Sequence, residues 1–253
     1  VESGAAQCLD IALQGPASRD ILLACIKDQR LRRRVARLRR TLFVEGELSG
    51  IPALISQTGY TGEDVGYELY VHPDRAVELW RLLLDRGAAF GIQPCGLAAR
   101  DSTRIEAGLP LYGHELAGPL AISQNEAGFG AYCKYHKPFF IGRDRYKARN
   151  DTSRRSIARF QVSERGARAL RGGEPVVNRR GRVIGQVTSC ALVGERQIGM
   201  ALVEARYETP GTALYLYPET RRAVSKAPSA FATGDTVALP VQAEVVERFP
   251  SKG

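Results

Sequence analysis

The sequence has no long uninterrupted apolar segment. Its 253 residues contain no run of about eighteen consecutive apolar residues, so no transmembrane helix is predicted. The opening Val1-Glu2-Ser3-Gly4 lacks the basic-then-apolar order of a secretory signal. These absences predict a protein with no membrane partner that works in the cytoplasm, or in the mitochondrial matrix if the source is eukaryotic.

Side chains that hold metals or act as nucleophiles are scarce. The five cysteines are widely spaced and form no Cys-x-x-Cys, which argues against a disulfide framework or zinc ribbon and predicts reduced, mostly buried thiols. His72, His114 and His136 are far apart and have no carboxylate or cysteine at metal-ligand spacing, so no metal site is predicted. No serine or cysteine lies in a nucleophile elbow or beside a paired base.

Basic residues exceed acidic ones. The chain has 36 Lys plus Arg against 27 Asp plus Glu, a net charge of +9 that favours anionic partners at low salt. Eight basic residues and one acid lie in 27–40, where Leu31, Val35, Leu38 and Leu42 recur at helical spacing. This pattern predicts an amphipathic basic helix, whose arginines are either a solvated face or a docking surface. Without the aromatic and basic interleaving of an RNA-binding sheet, nucleic acid is not a predicted partner.

The first part of the chain mixes strand and helix patterns. In the helix predicted at 74–86, Val77, Trp80, Leu83 and Leu84 share one face, which we expect to be buried. Short or alternating apolar runs predict strands, and apolar residues at helical spacing predict helices. The strands are predicted at 9–13, 41–44, 51–56 and 67–71, and besides the basic helix, helices are predicted through 21–23 and at 74–86 and 95–107.

From residue 154 onward the pattern changes to short β-type runs. Turn residues such as Arg180-Gly181 and Pro210-Gly211 separate them, which is typical of a small antiparallel barrel or sandwich. The polar stretch at 147–153 predicts a domain boundary, with domains at 1–150 and 151–253. The strands are predicted at 157–162, 175–178, 183–189, 197–203, 212–217 and 241–247.

Short motifs, each weak by itself, follow one another in a specific order. Together they resemble the glycine cleavage T-protein family, the aminomethyltransferases, over residues 13–250. The motifs are Leu13-Gln14-Gly15-Pro16, Thr58-Gly59-Tyr60-Thr61-Gly62-Glu63-Asp64, Gly66-Tyr67-Glu68, and the segments at 94–108, 110–115, 126–130, 137–143, 184–189 and 210–212.

The resemblance implies an α+β fold, in which a T-protein-like folate-binding domain, incomplete at its N-terminus, precedes a small antiparallel β-barrel domain. A complete member of the family carries a further N-terminal portion with the aspartate regarded as catalytic. No residue of this sequence matches that aspartate, so the catalytic residue is unknown.

The resemblance further implies a tetrahydrofolate-dependent aminomethyltransferase of the glycine cleavage type. Such an enzyme moves a one-carbon unit from an S-aminomethyl-lipoyl carrier to tetrahydrofolate and releases ammonia. Its partner is an acidic lipoylated carrier protein of the H-protein type, for which the basic helix is a candidate docking face. Two alternatives remain open: a folate-dependent demethylase, and a folate-binding module whose catalysis is impaired.

Two residues match positions that contact folate in the resembled family, and two tyrosines are further candidates. Glu68 and Arg100 supply a carboxylate for the donor edge of the pterin and a guanidinium for a carboxylate or ring carbonyl. Tyr60 and Tyr112 are candidates to stack on the pterin. The alternatives are an exposed strand carboxylate for Glu68, a surface ion pair for Arg100 and core packing for the tyrosines. The glycines around Tyr60 predict a tight turn with positive φ or close approach.

Overall fold

The computed structural model describes residues 8–116, 118–217, 230–235 and 241–247. The chain forms two compact units, Val1–Arg100 and Asp101–Gly253. The described helices are α1 Ser18–Ala24, α2 Gln29–Ala36, α3 Pro73–Gly87, α4 Leu97–Glu106 and α5 Arg143–Thr152. The described strands are β1 Leu9–Gln14, β2 Phe43–Leu48, β3 Ile51–Ser56, β4 Gly66–Val71, β5 Arg155–Val162, β6 Pro175–Val177, β7 Val183–Val193, β8 Arg196–Glu204, β9 Ala213–Leu216 and β10 Val241–Val246.

The first unit contains a four-stranded antiparallel sheet in the order β1-β4-β3-β2. Side chains alternate between its two faces, as the period of a strand requires. One face carries buried apolar residues such as Leu13, Ile55 and Leu69, which belong to the same core cluster as buried residues of α1, α2 and α3. The other face of β4 carries Glu68 and Tyr70, which are only partly buried. The sheet therefore has one face in the core and one polar face.

The basic helix predicted at 27–40 is the shorter α2, which ends at Ala36. Asp28 caps its N-terminus and accepts hydrogen bonds from the backbone N–H groups of Arg30 and Leu31, at 3.1 and 2.8 Å. Those two bonds lower the pKa of Asp28. The expectation that Leu42 continues the buried stripe is wrong, because this residue lies beyond the helix and is 53% exposed.

Helix α3 has a different buried face from the predicted one. It begins at Pro73, after the His72 cap, and it buries Ala76, Leu79 and Leu83. Val77 and Trp80 are 61% and 41% exposed, so these two were wrongly placed on the buried face, whereas Leu83 is buried as predicted and Leu84 is partly buried. The actual stripe repeats at i, i+3 and i+7, and it starts with a small alanine that counts little in a hydrophobic pattern.

Within the described residues, no helix is long and apolar enough to cross a membrane.

The second unit contains a closed six-stranded barrel in the order β10-β5-β8-β7-β6-β9, and its strand pairs are antiparallel. Fully buried residues such as Phe160, Val187 and Leu214 fill it. The predicted strands are confirmed, and of the two architectures left open by the residue pattern, the barrel is the correct one. The turn at Gly181 has φ of 72°, as its glycine suggested.

Segments before the barrel strands pack against the barrel within the second unit. Ile105 clusters with Ala191 and Met200, while Ile122 clusters with Leu202. The polar stretch at 147–153, expected to be an irregular boundary, is mostly helical because α5 runs to Thr152. The division of the sequence into domains near residue 150 stays a prediction.

The cysteines are all free, but the expectation that most are buried is wrong. Only Cys25 is buried, and burial raises the pKa of its thiol to about 11. Cys8 and Cys95 are exposed, and both lie outside the helices and strands. Cys133 and Cys190 are partly exposed. Sequence spacing could exclude a disulfide framework, but it could not say which face each thiol occupies.

Candidate functional site

Two carboxylates and a phenol lie on the polar face of the first sheet. In the pairing of β1 with β4, Asp10 lies opposite Tyr70 and Ala12 lies opposite Glu68. Because residues two apart on a strand share a face, Asp10, Glu68 and Tyr70 form one group. The Tyr70 hydroxyl donates a hydrogen bond of 3.3 Å to Glu68 Oε2. We call these three residues the carboxylate face.

The carboxylate face favours hydrogen-bond donors. Desolvation and then the nearby Glu68 raise the pKa of Asp10 above its ordinary value. Desolvation, followed by both carboxylates, also raises the pKa of Tyr70. Each shift means that the group holds its proton more tightly, because burial disfavours the charged form and the neighbouring negative charge adds to that cost. An N–H donor of a ligand would relieve that cost, so the face is suited to bind the donor edge of a heterocycle.

The loop that carries Tyr60 is held by Gln14. The side-chain Nε2 of Gln14 donates to the carbonyl oxygens of Thr58 and Tyr67, both at 3.2 Å. Its Oε1 accepts from the Thr61 hydroxyl at 3.0 Å. One amide thus joins the start of the loop, its middle and the residue before Glu68. Sequence reasoning missed this role, although Gln14 lies in one of the quoted motifs.

The glycines of this loop are required by its geometry. A Cβ on Gly59 would lie 2.0 Å from Gln14 Oε1, and one on Gly66 would lie 2.2 Å from the same atom. Gly62 has φ of 82°, in the left-handed region. The prediction of a tight turn with close approach is therefore confirmed. Tyr60 is partly buried, so it is neither a core residue nor a fully exposed one.

Arg100 is exposed on α4, and its backbone N–H bonds to Gly96 at 3.1 Å. Within the described residues, Glu68 accepts a hydrogen bond from Tyr70 and forms none with Arg100. The structure therefore does not pair the two predicted folate contacts with each other directly. Tyr112 belongs to the second unit, where its ring is 80% exposed. The core-packing alternative for Tyr112 is wrong.

A buried ionic network fixes the loop of Tyr112. Arg104 is 1% exposed and Glu115 is fully buried, and Arg104 Nη1 donates to Glu115 Oε2 at 3.0 Å. The same carboxylate oxygen accepts from the backbone N–H of Leu111 at 2.8 Å. Arg104 Nη2 donates at 3.0 Å to the hydroxyl of Ser189 in β7, and that hydroxyl also bonds Glu115 Oε1. These bonds hold the loop at Leu111 to Arg104 and Ser189, and the neighbouring Tyr112 is 80% exposed.

A second buried carboxylate, Glu126, has a structural role. Its oxygens accept from the Ser123 backbone N–H at 2.7 Å, the Ser153 hydroxyl at 2.6 Å and the Arg155 guanidinium at 3.0 Å. Burial alone would raise its pKa, but these bonds together lower the pKa of Glu126 to about 2. Among the described residues, no three or more His, Cys, Asp or Glu side chains gather as metal ligands.

A solved structure shares this fold. The glycine cleavage system aminomethyltransferase T from Bartonella henselae aligns with 95% of this chain and 58% of its own, with a TM-score of 0.72 and 23% sequence identity. A likeness at this identity supports the fold alone. The sheet with its polar face and the six-stranded antiparallel barrel thus place the chain in the aminomethyltransferase T fold class.

Sequence comparison gives the family. The model of the GCVT N-terminal domain matches residues 1–137, and that of the glycine cleavage T-protein C-terminal barrel domain matches residues 155–232. The chain therefore belongs to the glycine cleavage T-protein family.

The aminomethyltransferase of Streptomyces avermitilis is 43% identical over 209 residues, 80% of this chain and 54% of that protein. That of Cutibacterium acnes is 39% identical over 220 residues, 85% and 57% respectively. The chain spans about half the length of these curated relatives.

Proposed function

We propose that this chain binds tetrahydrofolate and takes part in aminomethyl transfer of the glycine cleavage type. In this reaction N5 and then N10 of tetrahydrofolate form bonds to a carbon held between a lipoyl sulfur and an amino group. Ammonia and the dihydrolipoyl arm leave, and the carbon becomes the methylene of methylenetetrahydrofolate. The aminomethyltransferase relatives support this assignment, and their bacterial sources support a cytoplasmic location.

The observation that carries the proposal is the carboxylate of Glu68 on the polar sheet face. A pterin presents an amino group and a ring N–H side by side, and a carboxylate can accept two parallel hydrogen bonds from them. Strand β4 pairs with β1 on one side and β3 on the other, so the backbone under Glu68 is held on both edges. A rigid acceptor loses little conformational entropy when the ligand binds.

Three further residues are proposed to contact the folate. Arg100, exposed on α4, offers a planar guanidinium for the carboxylate tail or the ring carbonyl. Tyr60 lies on the loop held by Gln14, and Tyr112 presents an exposed ring on a loop held by Glu115. Flat aromatic rings stack on flat heterocycles with a gain of about 0.5 to 1.5 kcal/mol beyond burial. Fixed loops make such stacking less costly in entropy.

Calorimetric titration with tetrahydrofolate tests the proposal. Glu68→Gln keeps the size of the side chain and removes its charge, so we expect binding weaker by about 10- to 100-fold. Glu45→Gln is the matched control, because Glu45 is an exposed carboxylate on the same sheet face, opposite Leu54 of β3. We expect that control to stay within about twofold of the wild type. Unchanged affinity in Glu68→Gln, or no binding by the wild-type chain, contradicts the proposal.

Arg100→Ala tests the second contact in the same assay. The loss of a charge-assisted hydrogen bond should weaken binding by about tenfold or more. Arg81→Ala removes an exposed arginine of α3 and serves as the control. A chain that binds folate but releases no ammonia from an S-aminomethyl-lipoyl carrier would be a folate-binding module rather than a transferase.

A further inference from the structure

The Tyr70 hydroxyl contacts the proposed folate carboxylate from the same strand. It donates a hydrogen bond of 3.3 Å to Glu68 Oε2, and both residues are partly buried on the polar face of the first sheet. Residues two apart on a strand lie side by side on one face. The neighbours that point to the other face, Leu69 and Val71, are buried in the core and hold the strand in place. The phenol is therefore fixed beside the carboxylate before any ligand binds.

The bond from the phenol leaves the carboxylate able to bind a ligand. A carboxylate has about four lone-pair sites on its two oxygens, and the phenol occupies one of them. Two parallel hydrogen bonds from a pterin use one site on each oxygen. Because the terminal torsion of a glutamate is broad, a carboxylate without such a bond can rotate among many orientations. The bond to Tyr70 limits that rotation, so less conformational entropy is lost when the ligand binds.

Asp10 acts on the same carboxylate with the opposite sign. In the pairing of β1 with β4 it lies opposite Tyr70, one diagonal step from Glu68. Residues at such a diagonal separation are about 7–8 Å apart. Desolvation and then the charge of Glu68 raise the pKa of Asp10, so the two carboxylates repel each other. The phenol therefore favours the charged form of Glu68, whereas Asp10 disfavours it.

The other acids on this sheet face lie farther from Glu68. Strand β3, beside β4, contributes uncharged neighbours, and the acids of β2 lie one strand further, about 10 Å from β4. After desolvation, Glu68 and Asp10 are the charged groups that raise the pKa of Tyr70. We therefore treat the three residues as one coupled group. The side chains of the other two strands on this face include Leu54 and Ser56 of β3 and Glu45 and Glu47 of β2.

We infer that Tyr70 is a positioning residue for the folate carboxylate of Glu68 and that Asp10 sets the acid limit of folate binding, an inference that rests on the proposed function. The acid limit is the pH at which half of the folate affinity is lost. The charged carboxylate is the form that accepts the donor edge of the pterin. Because Tyr70 favours that form and Asp10 disfavours it, removal of either group should move the acid limit, in opposite directions.

The test is calorimetric titration of the chain with tetrahydrofolate at a series of pH values from neutral to acidic. Tyr70→Phe removes only the hydroxyl, so we expect binding weaker by about 3- to 10-fold at neutral pH and an acid limit higher by about 0.5 to 1 pH unit. Asp10→Asn should lower the acid limit. Asp10 is exposed, so this second variant still tests the inference if Tyr70→Phe fails to fold.

Two matched controls accompany these variants. Tyr215→Phe removes the hydroxyl of a partly buried strand tyrosine in the second unit, and Glu45→Gln removes an acid two strands away from Glu68. We expect both controls to keep the affinity within about twofold and the acid limit of the wild type. Circular dichroism at each pH checks that every variant is folded, because a purely structural defect would lower stability without moving the acid limit.

A double substitution separates positioning from direct contact with the ligand. In a Glu68→Gln background, Tyr70→Phe should have no further effect on folate affinity, because the phenol acts through the carboxylate. An equal loss in both backgrounds, unchanged affinity in Tyr70→Phe, or acid limits that move in the same direction in Tyr70→Phe and Asp10→Asn would each overturn the inference alone. No folate binding by the wild type would contradict the proposed function, and the inference with it.

Discussion

The carboxylate of Glu126 should contribute a large, pH-dependent part of the stability of the second unit. It is 3% exposed and accepts hydrogen bonds from Ser123, Ser153 and Arg155, with Arg149 Nη2 at 3.2 Å from Oε2. Burial opposes its charge, but the hydrogen bonds prevail and lower its pKa from 4.5 to about 2. That gap corresponds to about 3 kcal/mol of folding free energy at neutral pH.

The direction of the pH dependence follows from the lowered pKa. Because the folded state binds the proton of Glu126 less tightly than the unfolded state, its contribution is complete above pH 4.5 and is lost as the pH falls towards about 2. Glu126→Gln should therefore be about 3 kcal/mol less stable than the wild type near neutral pH. The difference in unfolding free energy between the wild type and Glu126→Gln should narrow by about 2 kcal/mol near pH 3, where the wild type has lost most of the contribution of Glu126.

Urea unfolding at both pH values, followed by circular dichroism, measures this difference. Glu195→Gln is the control, because Glu195 pairs with Arg165 on the surface at side-chain exposures of 78% and 79%. We expect the control to stay within about 0.5 kcal/mol of the wild type. A Glu126→Gln variant as stable as the control near neutral pH, or a stability difference that does not depend on pH, would refute the reasoning.

Three other substitutions should separate structural from binding roles. Gly59→Ala places a methyl group where the amide of Gln14 lies, so we expect a loss of about 1 to 3 kcal/mol in urea unfolding and weaker folate binding in calorimetry; unchanged values would mean that the amide can move away. Glu115→Gln removes the charge opposite the buried Arg104 and should cost about 3 to 5 kcal/mol in thermal unfolding, which a neutral outcome would contradict. Phe160→Ala removes a fully buried ring from the barrel and should cost about 3 to 5 kcal/mol by the same measurement, so a smaller loss would show that the barrel collapses around the gap.

The barrel could be predicted from the sequence because its signals are local. Its strands are short runs with turn residues between them, and the turn at Gly181 needs the positive φ that glycine allows. The helix faces were harder. In α3 the buried stripe includes Ala76, while the larger Val77 and Trp80 lie outwards. A pattern weighted by hydrophobic size therefore displaces the predicted buried face of that helix, although it includes the buried Leu83.

The buried polar networks could not be predicted from sequence spacing. Ser189 is 74 positions from Glu115 and 85 positions from Arg104, and no local pattern connects residues so far apart. The tertiary fold brings them together, and burial then requires each charged group to find a partner. Glu68 was different, because the alternation of a single strand predicts that it points away from the core.

Gln14 connects the two halves of the proposed folate site in the first unit. Its amide bonds the backbone of Thr58 before Tyr60 and the backbone of Tyr67 before Glu68, so the loop and the strand cannot move independently. A ligand that contacts both residues then finds its stacking ring and its hydrogen-bond acceptor already at a fixed separation. The cost of ordering the loop is met during folding rather than during binding. We therefore expect Gln14 to affect folate affinity even if its side chain does not touch the ligand.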